Sequence, residues 1–312
     1  MSKASRRARK NDRRNQTSAS TAARVVPAPF VARPFEGLPS ECDWVAMREI
    51  VPAATATVRL RPEAAEMLGV QATDLPGEVT ITTVLPMAWA GLHRADGTRF
   101  IALQSVPTSG DASRDIAQVL LALSATPPGQ PVSAVTPAVA ATARLQDLLD
   151  FDAPFDVTVH DGFDYWIADD VALDAQGQAS LREANESIIP TVKLSSAPSA
   201  YWCRVGERTH LRWILPDDED AATATLARLH ADSGLGGEAG LGSGTRFLGA
   251  FRADGLLVPV WDLDPELEAD AYESALEAFA GRYRQALADD SPLSADERRA
   301  RAGLVSRQLT LR

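Results

Sequence analysis

In three stretches of this chain a glycine between two apolar runs is followed ten residues later by a proline that opens an acidic segment: Gly97 and Pro107, Gly206 and Pro216, Gly255 and Pro265. Two of the glycines close the same four residues, RADG, in HRADGTRFIAL (93–103) and FRADGLLVPVWDL (251–263), and the third lies in YWCRVGERTHLRWIL (201–215). Glycine reaches positive φ without a Cβ clash, and Asp-Gly favours the type I′ turn, so each stretch predicts strand, turn, strand. Each proline opens an acidic stretch: SGDASRDIAQVLLALSA, DDEDAATATLARLHADS and ELEADAYESALEAFAGRYRQAL. Proline in a first helical turn loses no hydrogen bond, and acids there favour the positive end of the helix dipole, so a helix is predicted after each. In the first, Ile116, Val119, Leu120 and Leu123 follow helical spacing and give one buried stripe. Strands that arrive in hairpins predict an α+β fold with a mainly antiparallel sheet, built from repeated β-hairpin–helix units in two subdomains.

Other segments fit around these units. EVTITTVL (78–85) alternates like a strand, and FDVTVHDGFDYWI (155–167) reads as a hairpin turning at Asp161-Gly162. Helices are expected at 41–50, 62–68, 137–149 behind Thr136, and 178–189. A last one begins at SADE, where Ser294 and Glu297 have capping-box spacing. The linker candidate is TPPGQPVSAVT (126–136), rich in residues that break helices and strands. The expected layout is a disordered basic arm at 1–29, a first subdomain at 30–130, a second with two hairpin–helix units at 150–290, and a C-terminal helix and tail at 291–312.

Charge separates the arm from the body. Residues 1–24 hold eight Lys or Arg against Asp12 alone, a net +7, which leaves −18 for the rest of a chain whose formal charge is −11. The arm has no apolar periodicity with which to offset the entropy of ordering. Lys3, Arg6, Arg7, Arg9, Lys10, Arg13 and Arg14 are its candidate nucleic-acid contacts, of a kind that releases counterions and is blind to sequence. Solubility, or contact with the acidic body, is the alternative use. No apolar run approaches the ~20 residues of a membrane span, and no signal-peptide core is present, so no membrane partner is expected and a cytoplasmic location is.

Residue chemistry excludes more than it identifies. Cys42 and Cys203 are far apart without CxxC or CxxH partners, so neither a disulfide framework nor a metal site is supported, and no cofactor is implied. SGLGGEAGLGSGTRFLG (233–249) leaves a helix and enters a strand, opposite to a phosphate-cradling loop, and lacks the lysine; it reads as a flexible connector. Cys203 and His210 fall on opposite arms of one predicted hairpin and could face each other as nucleophile and base, although a cysteine beside Trp202 is commonly inert core. No HExxH or GxSxG occurs. SECDWVAMREIVP (40–52) gathers Glu41, Cys42, Asp43, Trp44 and Arg48, which could line a cleft. Helical spacing also lets Cys42, Val45 and Ala46 pack inward while Arg48 pairs with an acid. Six tryptophans could offer a stacking surface, although core packing is the commoner use of so large a side chain.

Through FEGLPSECDWVAMREIVPAATA, YWCRVGERTHLRWILP and FRADGLLVPVWDL the chain resembles an uncharacterised family of actinobacterial proteins, from about Phe30 to Leu263. Some members of that family begin with a SEC-C-type zinc segment and are labelled SecA-like. The first 41 residues here contain no cysteine, so neither the zinc ion nor that label carries over. The expectation is a non-catalytic binding protein whose body recognises a protein partner while the arm contacts RNA or the ribosome. The alternatives are a hydrolase or transferase using Cys203 with His210, or a chaperone-like scaffold.

Overall fold

The computed structural model describes residues 26–132 and 135–306. Helix α1 (Glu41–Glu49) leads into β1 (Ala54–Arg59), α2 (Ala64–Leu68) and β2 (Glu78–Thr82). The hairpin of β3 (Gly91–His93) and β4 (Arg99–Ala102) is followed by α3 (Ala112–Ser124), β5 (Gln130–Val132), the single turn α4 (Leu145–Leu148) and β6 (Thr158–Val159). Next come α5 (Ala175–Glu186), β7 (Thr191–Leu194), the hairpin of β8 (Ala200–Val205) and β9 (Arg208–Trp213), and α6 (Glu219–Ala231). The hairpin of β10 (Arg246–Ala253) and β11 (Leu256–Asp262), then α7 (Glu273–Leu287) and α8 (Ala295–Ser306), complete the described chain.

All three glycine turns form. Gly97, Gly206 and Gly255 have φ of +92°, +61° and +80° and reverse the chain between paired strands. Only at Asp254-Gly255 do both turn residues have positive φ, as a type I′ turn requires. At Asp96-Gly97 the glycine alone does, and that turn is closed by Gly97 N–H donating to the Arg94 carbonyl at 2.9 Å. A helix follows each hairpin, but the prolines stand ahead of the helices rather than in their first turns. The carboxylates of Asp111 and Asp218 cap instead, accepting from Ser113 N at 3.2 Å and Asp220 N at 2.9 Å. The Ser294/Glu297 capping box is present at the start of α8, with reciprocal bonds of 2.6 and 3.3 Å.

Two sheets result, ordered β5-β3-β4-β2-β1-β6 and β10-β11-β9-β8-β7. Every pairing is antiparallel except β2 with β4. The fold is therefore α+β with mainly antiparallel sheet. Four segments depart from expectation. Residues 155–167 do not form a hairpin: β6 pairs with β1, and Asp164–Trp166 is a 3-10 turn whose rings pack inward, Phe163 stacking on Trp166 at 4.2 Å. Over 137–149 only Leu145–Leu148 is helical, because Val139 bridges to Pro27 and Ala140 N–H bonds to the Val26 carbonyl. The linker candidate contributes β5, which pairs with β3, and the helix expected at 178–189 begins and ends earlier, at Ala175–Glu186.

Alternation along β8 explains how the sheets are covered. Trp202 faces a buried cluster with Leu211, Trp213, Leu226, Trp261, Phe279 and Tyr283, under α6 and α7. Tyr201 faces the other way, into a larger cluster that joins Trp44, Val45 and Met47 of α1, Ile101, Leu120 and Leu123 to Phe251, Leu256 and Val258 of the second sheet. One core thus spans both sheets. Trp44, Trp202, Trp213 and Trp261 are buried, which is the packing use of the tryptophans.

Candidate functional site

Helix α1 brings the predicted cleft residues to the junction of the sheets, but points them in different directions. Glu41 is held by Arg33 through bonds of 3.0 and 2.7 Å. Cys42 is buried, and burial, with Glu41 and Asp43 beside it, pushes its thiol up to about 12. Asp43 accepts from Lys193 Nζ at 2.8 Å, Ser199 Oγ at 2.7 Å and Tyr201 Oη at 2.9 Å, so this buried carboxylate fastens α1 to β7 and β8. Burial and the Asp43 charge raise the Tyr201 phenol well above its ordinary range. Trp44 stacks between Phe35 and Phe155, at 5.6 and 4.3 Å. Four of the five residues therefore hold structure together.

Arg48 is different. It meets Asp254, the turn residue of the third hairpin, at 3.5 Å on the wall of a cavity of about 500 Å³. The remaining wall comes from Phe30, Val31, Ala32 and Pro34, the approach to α3, and Glu219 and Arg252, which pair with each other. Arg48 Nη1 and Asp254 Oδ2 are buried atoms without a hydrogen-bond partner among the described residues. Such groups are uncommon in native interiors and costly to leave unpaired. Burial raises the Asp254 carboxyl to about 6, with Arg48 opposing the shift and Glu49 adding to it. A groove of about 540 Å³ between β1 and residues 72–78 lacks this signature: Arg59 meets Glu78 and Asp150, and Arg61 donates to the Leu149 carbonyl. Asp254 was not singled out from sequence; its signal, an Asp-Gly turn, reads as geometry rather than chemistry.

Cys203 and His210 are register partners, as the hairpin spacing predicts, and His210 in turn pairs with Asp262 on β11. Cysteine, histidine and aspartate thus lie in one row of the sheet. His210 Nδ1 is 3.4 Å from Asp262 Oδ1. Cys203 is buried and its thiol raised by burial, while burial keeps the His210 imidazole below its ordinary value, Arg212 and Arg208 outweighing part of the Asp262 attraction. Both groups are neutral at pH 7, so the row holds a thiol rather than a thiolate.

The other histidines serve elsewhere: His93 bonds the Thr126 carbonyl, His160 bonds Thr55, and His230 is exposed at the end of α6. The glycine-rich connector is anchored, with Leu235 and Leu241 buried and the Leu235 carbonyl accepting from Trp261 Nε1 at 2.7 Å. Among the described residues no group of three or more His, Cys, Asp or Glu could hold a metal ion, and no helix is long and apolar enough to cross a membrane. Lys3, Arg6, Arg7, Arg9, Lys10, Arg13 and Arg14 lie outside the described residues. A family model described as a family of unknown function (DUF5926) matches residues 34–312. No curated protein and no solved structure matches the chain.

Proposed function

The chain belongs to the family DUF5926, whose function is unknown, so the site itself has to carry the reading, and we propose a non-catalytic, cytoplasmic binding protein. Its body takes a short segment of a partner protein in the cavity between α1 and the third hairpin, and its basic arm contacts RNA, on the ribosome or elsewhere. The observation that supports the first part is the Arg48–Asp254 ion pair, whose residues line that cavity while Arg48 Nη1 and Asp254 Oδ2 make no hydrogen bond among the described residues. A peptide supplies both missing partners, a carbonyl for the guanidinium and an N–H for the carboxylate, and its side chains suit the apolar strip of Phe30 to Pro34. The reading also takes the relatives to be actinobacterial, some with a SEC-C segment at the end the arm holds here, and gives that end a docking role.

A peptide array probed with the full chain and with Arg48→Ala tests the cavity. A subset of peptides held by the wild type and lost by the variant is expected; no binding, or equal binding by both, overturns it. For the arm, deletion of residues 1–24 should abolish salt-sensitive binding to poly(U). A second reading, a hydrolase or transferase, is favoured by the Cys203–His210–Asp262 row. If native Cys203 resists alkylation at neutral pH, that mechanism fails.

A further inference from the structure

Cross-strand partners share a face, so the register of the second sheet fixes what lies beside Cys203. Arg208, His210 and Arg212 alternate along β9, and Arg246 joins their face through Asp262, to which both His210 and Arg246 are register partners. Alternate residues of a strand stand about 7 Å apart, so Arg208, His210 and Arg212 form a line, not a cluster. Arg208 and Arg246 are exposed and Arg212 is half-buried. Among the described residues neither Arg208 nor Arg212 has an acid within ion-pair distance, and neither donates a side-chain hydrogen bond. The acid in these rows, Asp262, is already engaged by Arg246 at 3.0 Å and by His210.

Uncompensated arginines are unexpected in a body that carries −18 after Arg24. In the described residues most arginines close on a carboxylate, as Arg33, Arg94, Arg204 and Arg252 do. A half-buried guanidinium facing no anion leaves a local positive potential, felt in the downward push of Arg212 on both the Cys203 thiol and the His210 imidazole. We propose that this strip of β9 and β10, Arg208, His210, Arg212 and Arg246, binds the phosphate backbone of an RNA strand. Arg208 and Arg212 supply the unpaired charge along β9, the neutral His210 between them offers a ring nitrogen, and Arg246 flanks the row from β10, so an extended polyanion meets several of these groups in succession whereas a single phosphate could use one or two of them. The aromatic rings beside the strip, Tyr201 opposite Arg212 and Trp213 on the other face of β9, are buried and cannot stack on bases, so contact is with the backbone and is tolerant of sequence.

The proposal rests on the reading that RNA is a ligand of this chain, and the test separates the two. Binding of full-length protein to labelled poly(U) is measured between about 50 and 200 mM salt for the wild type, Arg208→Gln/Arg212→Gln and Asp262→Asn. Two lost phosphate contacts at ~0.7 each should make the slope of log K against log salt shallower by about 1.4, with at least about tenfold weaker binding at low salt. Asp262→Asn should bind more tightly, a gain that misfolding cannot imitate. Unchanged affinity and slope in the double variant would place RNA on the arm alone and overturn the strip while sparing the arm. No binding by the wild type would overturn both. Polyglutamate binding that replaces poly(U) binding and is lost in the double variant would assign the strip to an acidic protein and overturn the RNA assignment.

Discussion

At the scale of single residues, Asp254 concentrates the conflict between stability and use. Its folded carboxyl titrates near 6 against an ordinary value of 3.8, so the native state holds the proton more tightly than the unfolded chain. Wild-type stability therefore falls as pH rises from about 4 to about 6 and stays lowered above that. Asp254→Asn removes the ionisation and keeps a residue that tolerates positive φ; at pH 8 it should gain about 2 kcal/mol, read as a higher Tm, and the gain should vanish near pH 4. The same variant should lose peptide binding if the cavity is used. The neighbouring glycine supplies a second case. A Cβ on Gly255 would sit 2.7 Å from the Ala32 carbonyl oxygen and against Arg33 Cγ, whereas one on Gly206 meets open space. Gly206→Ala should cost about 1 kcal/mol for its positive φ, and Gly255→Ala at least about 3 kcal/mol, because the turn must also push back the cavity wall. Urea midpoints of the two variants check the ranking.

Among elements, α1 shows where local sequence stops informing. Its apolar spacing announces Cys42, Val45 and Ala46 as inward, and all three are buried. Nothing local says that Asp43 meets Lys193, Ser199 and Tyr201, which lie about half the chain away. Asp43→Asn keeps the volume but leaves Lys193 without its charge partner and one oxygen with the wrong polarity; we expect a loss of about 2–4 kcal/mol in a urea titration, with the near-UV signal of Tyr201 altered. The same divide separates the hairpins that formed from the one that did not. Turns at Gly97, Gly206 and Gly255 depend on backbone conformation confined to a few residues, and could be read locally. Asp161-Gly162 has the dipeptide of two of these turns, yet Tyr165 and Trp166 gain more by packing on Leu85 and Phe100, with Phe163 stacked on Trp166, than by pairing as a return strand. Likewise β5 exists only because β3 offers it an edge, so a stretch rich in turn formers reads as linker until the sheet is assembled. Of the candidate site, Arg48 and the Cys203–His210 pairing were legible; Asp254, Asp262 and the absence of partners for Arg212 required tertiary structure.

For the whole molecule, the inner face of the second sheet decides how the chain must fold. Tyr201, Ile214, Phe251, Leu256 and Val258 are buried against residues of α1 and the first sheet, so the larger apolar cluster crosses the expected boundary near 130–150. Polar ties cross it too: Lys193 to Asp43, Arg48 to Asp254, and Arg33 to the Pro216 carbonyl at 3.4 Å. Cutting the chain there exposes apolar area on both pieces, each buried side chain forfeiting about 1.5–3 kcal/mol, which several such residues raise beyond the total stability of an ordinary domain. Fragments 1–150 and 151–312, produced separately, should each lack a cooperative urea transition and bind a hydrophobic dye. Mixed in equal amounts, they should regain near-UV dichroism and lose the dye. The intact chain should unfold in one transition that coincides by far-UV and near-UV signals. Cooperative unfolding of either fragment alone would mean that its own helices suffice to cover its sheet. The cavity between α1 and the third hairpin would then lie between units able to part, and peptide affinity should fall with fragment dilution rather than stay fixed by one core.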